Sequence, residues 1–191
     1  AIGVELDVQQ RARVLGLQDG AAHPIHRRVF ARVVEDEGIH HLDRRRLVPQ
    51  NHRRCRKRVE HDLFDDADAW RESDMGAYRQ KAVSQLGTVG SGNHYVDLLR
   101  DEEGFVWIGV HFGSRGLGHT SATRYLKAAG GKDGMNVPPA VIDEDSEIGR
   151  RYIAAMQLAG RYSYAGREWV IERVRRIIGG EVTDMVHNHH N

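Results

Sequence analysis

Residues 85–111 constrain the fold of this 191-residue chain more than any other stretch. They read QLGTVGSGNHYVDLL, a charged turn at residues 100–104, then FVWIGVH, with FGSRGLG following. Gly87, Gly90 and Gly92 strip side chains from a turn, so the backbone can take positive φ and its amides can approach an anion. His94 opens a strand-like run, and the apolar run 105–110 delivers His111 at its end. Pairing the two runs as a hairpin would bring both histidines to a common region. A second loose turn, carrying Gly113, Gly116 and Gly118, would join them there. Further histidines, His187, His189 and His190, close the chain in EVTDMVHNHHN.

Three chemistries compete for these residues. A phosphate loop needs G-x-x-x-x-G-K-[ST]; Gly87 and Gly92 have the separation, but Asn93 and His94 stand where the lysine and hydroxyl belong. A dinucleotide turn fails as well, since G-x-G-x-x-G is not met and no helix follows directly. The third is a metal site of neutral imidazoles, using His94, His111 and one or more of His187, His189 and His190. Spacing alone leaves it balanced against histidines that are simply polar strand ends. A hydrolase using the same histidines is disfavoured, because no carboxylate stands at a spacing such as H-E-x-x-H.

In that order, GTVGSGNH, VHFGSRGLG and VHNHHN resemble the motifs of the RtcB-type RNA-splicing ligases. The resemblance runs through the intervening residues, from about residue 80 to residue 191. It implies an α/β fold, a mixed sheet with helices, of which this chain would be the incomplete central part. It implies an RNA ligase that joins 3′-phosphate or 2′,3′-cyclic phosphate ends to 5′-hydroxyl ends, acting on tRNA halves or broken RNA. The cofactors so implied are GTP, with GMP as the transferred group, and Mn2+, bound as a pair of ions in the family. Position by position, His94, His111 and His190 would hold metal, while Asn93 and Asn191 would contact the guanylate. Ser114 and Arg115 would meet nucleotide or RNA phosphate. Nitrogen donors beside a thiolate and oxygens suit manganese, and such a cation would offset phosphate charge.

The chain also departs from the family pattern. The upstream D-x-G-C-G motif, whose Asp and Cys bind the metal pair, is missing; the one cysteine, Cys55, sits in RRCRKR. The later histidine that takes up GMP covalently lies outside the sequence. The expectation is a metal half-site without its nucleophile, unable to ligate RNA by itself. The alternative is an inactive remnant that keeps only weak metal or RNA binding.

With 40% hydrophobic and 29% charged residues, the chain can build an ordinary globular domain. A net charge of +1 carries no global nucleic-acid signal. A lone cysteine excludes an internal disulfide framework and suits a reducing compartment. No apolar run reaches the length of a membrane span and no leader opens the chain, so a cytoplasmic location without membrane attachment is expected. The opening AIGVELDV lacks Met and reads as a cut piece.

Residues 1–72 read as a divergent segment, disordered in part, ahead of a partial ligase-like domain over residues 73–191. Within that segment, residues 25–34 suggest a short helix. The basic run 53–58 is either an RNA-backbone patch or, the favoured reading, a solvated arm. His40, His41, His52 and His61 read as exposed, and a shifted reading frame or degraded gene is one explanation for the mixed charge clusters. Downstream, the spacing predicts helices over 75–86 and 121–129. A long helix follows, from a cap at Asp143, Asp145 or Ser146 to the stop at Gly179 and Gly180. Gly160 and Gly166 leave open a kink or a break in it. Arg161, Arg167, Arg173, Arg175 and Arg176 fall on its exposed side, and EVTDMVHN reads as a strand.

Overall fold

The computed structural model describes residues 28–34, 59–132, 134 and 137–187. They divide into two compact units, each discontinuous in sequence. The first holds residues 28–34, 91–111 and 167–187, and the second residues 59–90 and 112–166, within the described part of the chain.

The first unit is an antiparallel four-stranded sheet, ordered β2-β3-β1-β4. Its strands are β1 (Arg28–Val34), β2 (Tyr95–Arg100), β3 (Val106–His111) and β4 (Glu181–His187). The expected hairpin is β2–β3, with Tyr95 opposite His111 and Arg100 opposite Val106. Its charged turn is built around the buried Asp101. That carboxylate accepts from the amides of Glu103 (3.1 Å) and Phe105 (2.9 Å) and from Trp107 Nε1 (2.7 Å). Gly104 supplies the positive φ, 92°, that such a tight reversal needs. Trp107, Ile108, Gly109 and Val110 of β3 are all buried, which is why this run is apolar without alternation.

Within the stretch expected as a short helix, Arg28–Val34 is instead the strand between β3 and β4. Val29, Val33 and Val34 are stiff at χ1 and favour extended backbone. The strands on either side supply the ladder partners that a lone segment lacks.

In the second unit a 3-10 turn (Asp62–Phe64) leads into α1 (Ala67–Glu72), and a further one (Gly76–Tyr78) into α2 (Arg79–Gln85). Then come α3 (Arg115–Ala128) and the part of α4 (Glu147–Ile178) that precedes residue 167. The core joins Leu63, Phe64, Trp70, Leu86, Phe112, Leu117, Leu158 and Tyr162, all buried. Buried polar groups are satisfied: Trp70 Nε1 donates to Leu63 O (2.9 Å), Tyr162 Oη to Ala82 O (2.9 Å) and Tyr125 Oη to Ser73 O (2.8 Å). His61, expected to be exposed, is half-buried, and its Nδ1 accepts from the amide of Leu63 to cap the first turn. Asp66 caps α1 through the amide of Ala69. That bond, with help from Arg161, lowers its carboxyl from the ordinary value.

The helix expected over 121–129 begins earlier, at Arg115. GSRGLG is therefore not a second loose turn, for Gly116 and Gly118 lie inside α3. Both sites are too crowded for a β-carbon: one on Gly116 would fall against Tyr78 Oη, and one on Gly118 against Ser114 Oγ. Close approach, and not a turn, explains these glycines. The long helix is one 32-residue element, unbroken at Gly160 and Gly166. Ser146 Oγ caps it from the amide of Gly149 (3.0 Å), and Gly179 and Gly180, with φ of 82° and 83°, end it. Among the described residues no helix is long and apolar enough to cross a membrane.

Candidate metal and phosphate sites

The β2–β3 register decides the geometry of the first site. His94 immediately precedes β2 and His111 ends β3, so pairing of Tyr95 with His111 sets the two imidazoles side by side. Their ring centroids are 6.1 Å apart with planes at 62°. Tyr95 stacks on His111 at 5.2 Å and 17°, which fixes the His111 ring plane. The Nδ1 atoms of both histidines are shielded from solvent. Two imidazoles on one ion, with metal–nitrogen bonds of about 2.1 Å, have centroids about 5.3 Å apart at a tetrahedral angle and about 6.5 Å apart when opposed. The observed 6.1 Å lies between these values, which makes the pair a candidate for one cation. Asn93, next to His94, is exposed.

β1 relates this pair to the far end of the unit. Arg28 lies opposite His111 and Val29 opposite His187, so β4 finishes at the same end of the sheet as the hairpin histidines. His190 and Asn191, the remaining predicted contacts, lie outside the described residues. Among the described residues, no group of three histidine, cysteine or acidic side chains is arranged to hold a metal.

His187 itself is occupied otherwise. Arg167 Nε donates to its Nε2 at 3.0 Å, and its Nδ1 lies 3.3 Å from Glu168 Oε1. That arrangement assigns the Nδ1–H tautomer and engages both ring nitrogens within the unit. Arg167 was expected on the exposed side of the long helix, yet it is only 1% exposed. A helical wheel cannot tell a solvated arginine from one buried against a histidine of a distant strand. Arg167 is thus the functional-region residue that sequence reasoning misplaced. Its one sequence signal is position, directly after Gly166 on the face that carries Val170 and Val174.

Ser114 and Arg115 belong to the second unit. Ser114 occupies the N-cap of α3, with its side chain over Gly118. Arg115 is half-buried at φ 55°, and its Nε donates to Thr88 Oγ1 at 3.2 Å. Desolvation pulls its guanidinium below the ordinary value, against the influence of Tyr162 and Tyr78; an arginine nevertheless stays cationic at neutral pH.

Fold and site together define an α/β protein with a paired-histidine hairpin at one sheet end and a partly desolvated arginine at the start of a helix. The chain belongs to the RtcB family: the family model described as tRNA-splicing ligase RtcB matches residues 10–191. That span takes in the mixed-charge stretch upstream of the motifs. Curated relatives include the RNA-splicing ligase RtcB of Mycobacterium tuberculosis, 36% identical over 135 residues, which is 60% of this chain and 31% of the relative. The tRNA-splicing ligase RtcB of Nanoarchaeum equitans is 34% identical over 140 residues, 63% of this chain and 29% of the relative. That of Thermococcus kodakarensis is 35% identical over 131 residues, 56% and 27% respectively. The chain therefore spans under a third of the length of these relatives. No solved structure matches it at a significant level.

Proposed function

We propose that this chain is the metal- and phosphate-binding part of a cytoplasmic RNA ligase. The complete protein would join RNA 3′-phosphate or 2′,3′-cyclic phosphate ends to 5′-hydroxyl ends with GTP and Mn2+. Guanylate transfer would run through a histidine outside this sequence. The observation that carries the proposal is the His94–His111 pair at 6.1 Å, in a chain of the RtcB family.

In this reading His94 and His111 hold manganese, with His190 as a third ligand and Asn93 and Asn191 on the guanylate. The ion, when bound, would offset negative charge on the guanylate and RNA phosphates. The chain's own residues do the positioning. Tyr95 keeps the His111 imidazole in plane, and the hairpin register keeps His94 beside it. Ser114 and Arg115 offer a hydroxyl and a guanidinium fork to a phosphate, and a fork of that kind suits two oxygens at once. Because the matched stretch is a fraction of the relatives' length, ligation is proposed for the complete protein, and binding for this chain alone.

A manganese titration followed by electron paramagnetic resonance tests it. Binding should fall at least tenfold in His94→Ala and in His111→Ala, since loss of even an outer-shell partner of a ligand costs about that much. Equal binding by the double variant would refute the site. Retained manganese binding in this chain, with no ligation by the protein expressed from the intact gene, would favour the inactive-remnant reading.

A further inference from the structure

Arg115 is held from two sides within its unit. Its Nε–H is taken by Thr88 Oγ1 at 3.2 Å. The Thr88 hydroxyl in turn donates to Gln85 O at 2.6 Å, so its proton points away and a lone pair faces the arginine. Thr88 is buried, which makes its hydroxyl a fixed acceptor and not one shared with water. On the other side the guanidinium lies across Gly90, where any β-carbon would overlap Nη1, Cζ and Nη2. Gly90 also has φ 101°, so this position excludes other side chains on both counts. The groups acting on the guanidinium are its own burial and the phenols of Tyr162 and Tyr78; no carboxylate among the described residues is one of them.

A guanidinium has a fixed fork of donors. With Nε committed to Thr88, the edge formed by Nη1 and Nη2 is the part left to meet a planar or tetrahedral anion. A half-buried arginine that no carboxylate among the described residues neutralises is an arrangement that a phosphate would complete.

We infer that Thr88 and Gly90 are positioning residues that aim the Arg115 guanidinium at a phosphate group of the substrate. The inference rests on the reading of Arg115 as a phosphate contact. It gives the TVG part of the glycine turn a task separate from that of the Asn93–His94 part. Thr88 orients the fork through Nε, and Gly90 leaves room for its plane.

Fluorescence anisotropy with a labelled short single-stranded RNA tests this on the chain as it stands, with each variant's fold checked by circular dichroism. The probes are the RNA ending in a 3′-phosphate, the same RNA ending in a 3′-hydroxyl, and GTP as competitor. Arg115→Ala should weaken phosphate-dependent binding about tenfold and lower the salt slope by about one charge. The probe on which the loss falls identifies the phosphate as that of the RNA end or that of the nucleotide. Thr88→Val should weaken the same binding about threefold or more, the order expected for the net contribution of one hydrogen bond. Thr88→Ser should restore it to within about twofold, because the acceptor returns. Gly90→Ala should weaken it by displacing the fork. In the Arg115→Ala background neither change should add to the loss, since both act through that side chain. Should Thr88→Val fail to fold, Thr88→Ala removes the same acceptor with a smaller side chain. If Arg115→Ala binds every probe like the parent, the phosphate reading of Arg115 falls and this inference with it. If Arg115→Ala is weak while the folded Thr88 and Gly90 variants bind like the parent, only the positioning role is overturned.

Discussion

The turn of the hairpin that carries His94 and His111 is clamped in part by one buried bond, and Trp107→Phe removes it. Trp107 Nε1 donates to Asp101 Oδ2 at 2.7 Å, and both residues are buried, at 7% and 6% exposure. Phenylalanine keeps an aromatic ring on β3 but has no donor. A hydrogen bond to a charged group contributes about 1.5–3 kcal/mol net. The lower half of that range applies here, because Asp101 retains the amides of Glu103 and Phe105. The smaller ring adds a cavity cost of about 1 kcal/mol. A loss of about 2–3 kcal/mol follows, a large share of the 5–15 kcal/mol by which domains of this kind are usually stable. Urea unfolding at unchanged m-value measures it. In an Asp101→Ala background the same substitution should cost at least about 1 kcal/mol less, since the shared bond is already gone. A single-variant loss under about 0.5 kcal/mol, or strict additivity, would refute the claim that Asp101 and Trp107 clamp the turn.

Gly116→Ala sets two effects against each other. Alanine in a helix gains about 1 kcal/mol over glycine, but its β-carbon would collide with Tyr78 Oη and crowd Gln85 Oε1 at 3.2 Å. Overpacking of about 1–3 kcal/mol should win, so the melting temperature should fall, and adding Tyr78→Phe should recover it. For His187, long-range proton–nitrogen NMR should show the Nδ1–H tautomer, and Arg167→Met should abolish that preference by removing the Nε–H donor. Glu172 lies between Arg175 and Arg176, whose hydrogen bonds hold its carboxyl down at about 2. A depressed carboxylate stabilises the fold above its ordinary value of 4.5, and that contribution is lost as pH falls towards 2. Glu172→Gln should therefore be less stable at neutral pH and converge with the parent in acid. These pairs are largely exposed, so the difference should stay under about 1 kcal/mol. Denaturation midpoints across that pH range would show it.

What the sequence determined by itself was local. Residues 95–111 carried their own hairpin pattern, an apolar run beyond a charged turn, and so brought His94 and His111 to a common region, while the strand register set them side by side. The long helix was legible from its apolar spacing, with Ser146 and the Gly179–Gly180 pair marking its ends, because caps and stops are short-range chemistry. Tertiary structure decided the rest. Arg28–Val34 is a strand because β3 and β4 supply ladder partners from far along the chain. Gly116 and Gly118 read as turn residues in sequence, since a glycine needed for close approach looks the same as one needed for positive φ; only the positions of Tyr78 and Ser114 separate the two. Arg167 counted as a surface charge until the fold placed His187 against it. Burial of a charge, the tautomer of a histidine and the aim of a guanidinium are set by partners distant in sequence, which no spacing rule can reach.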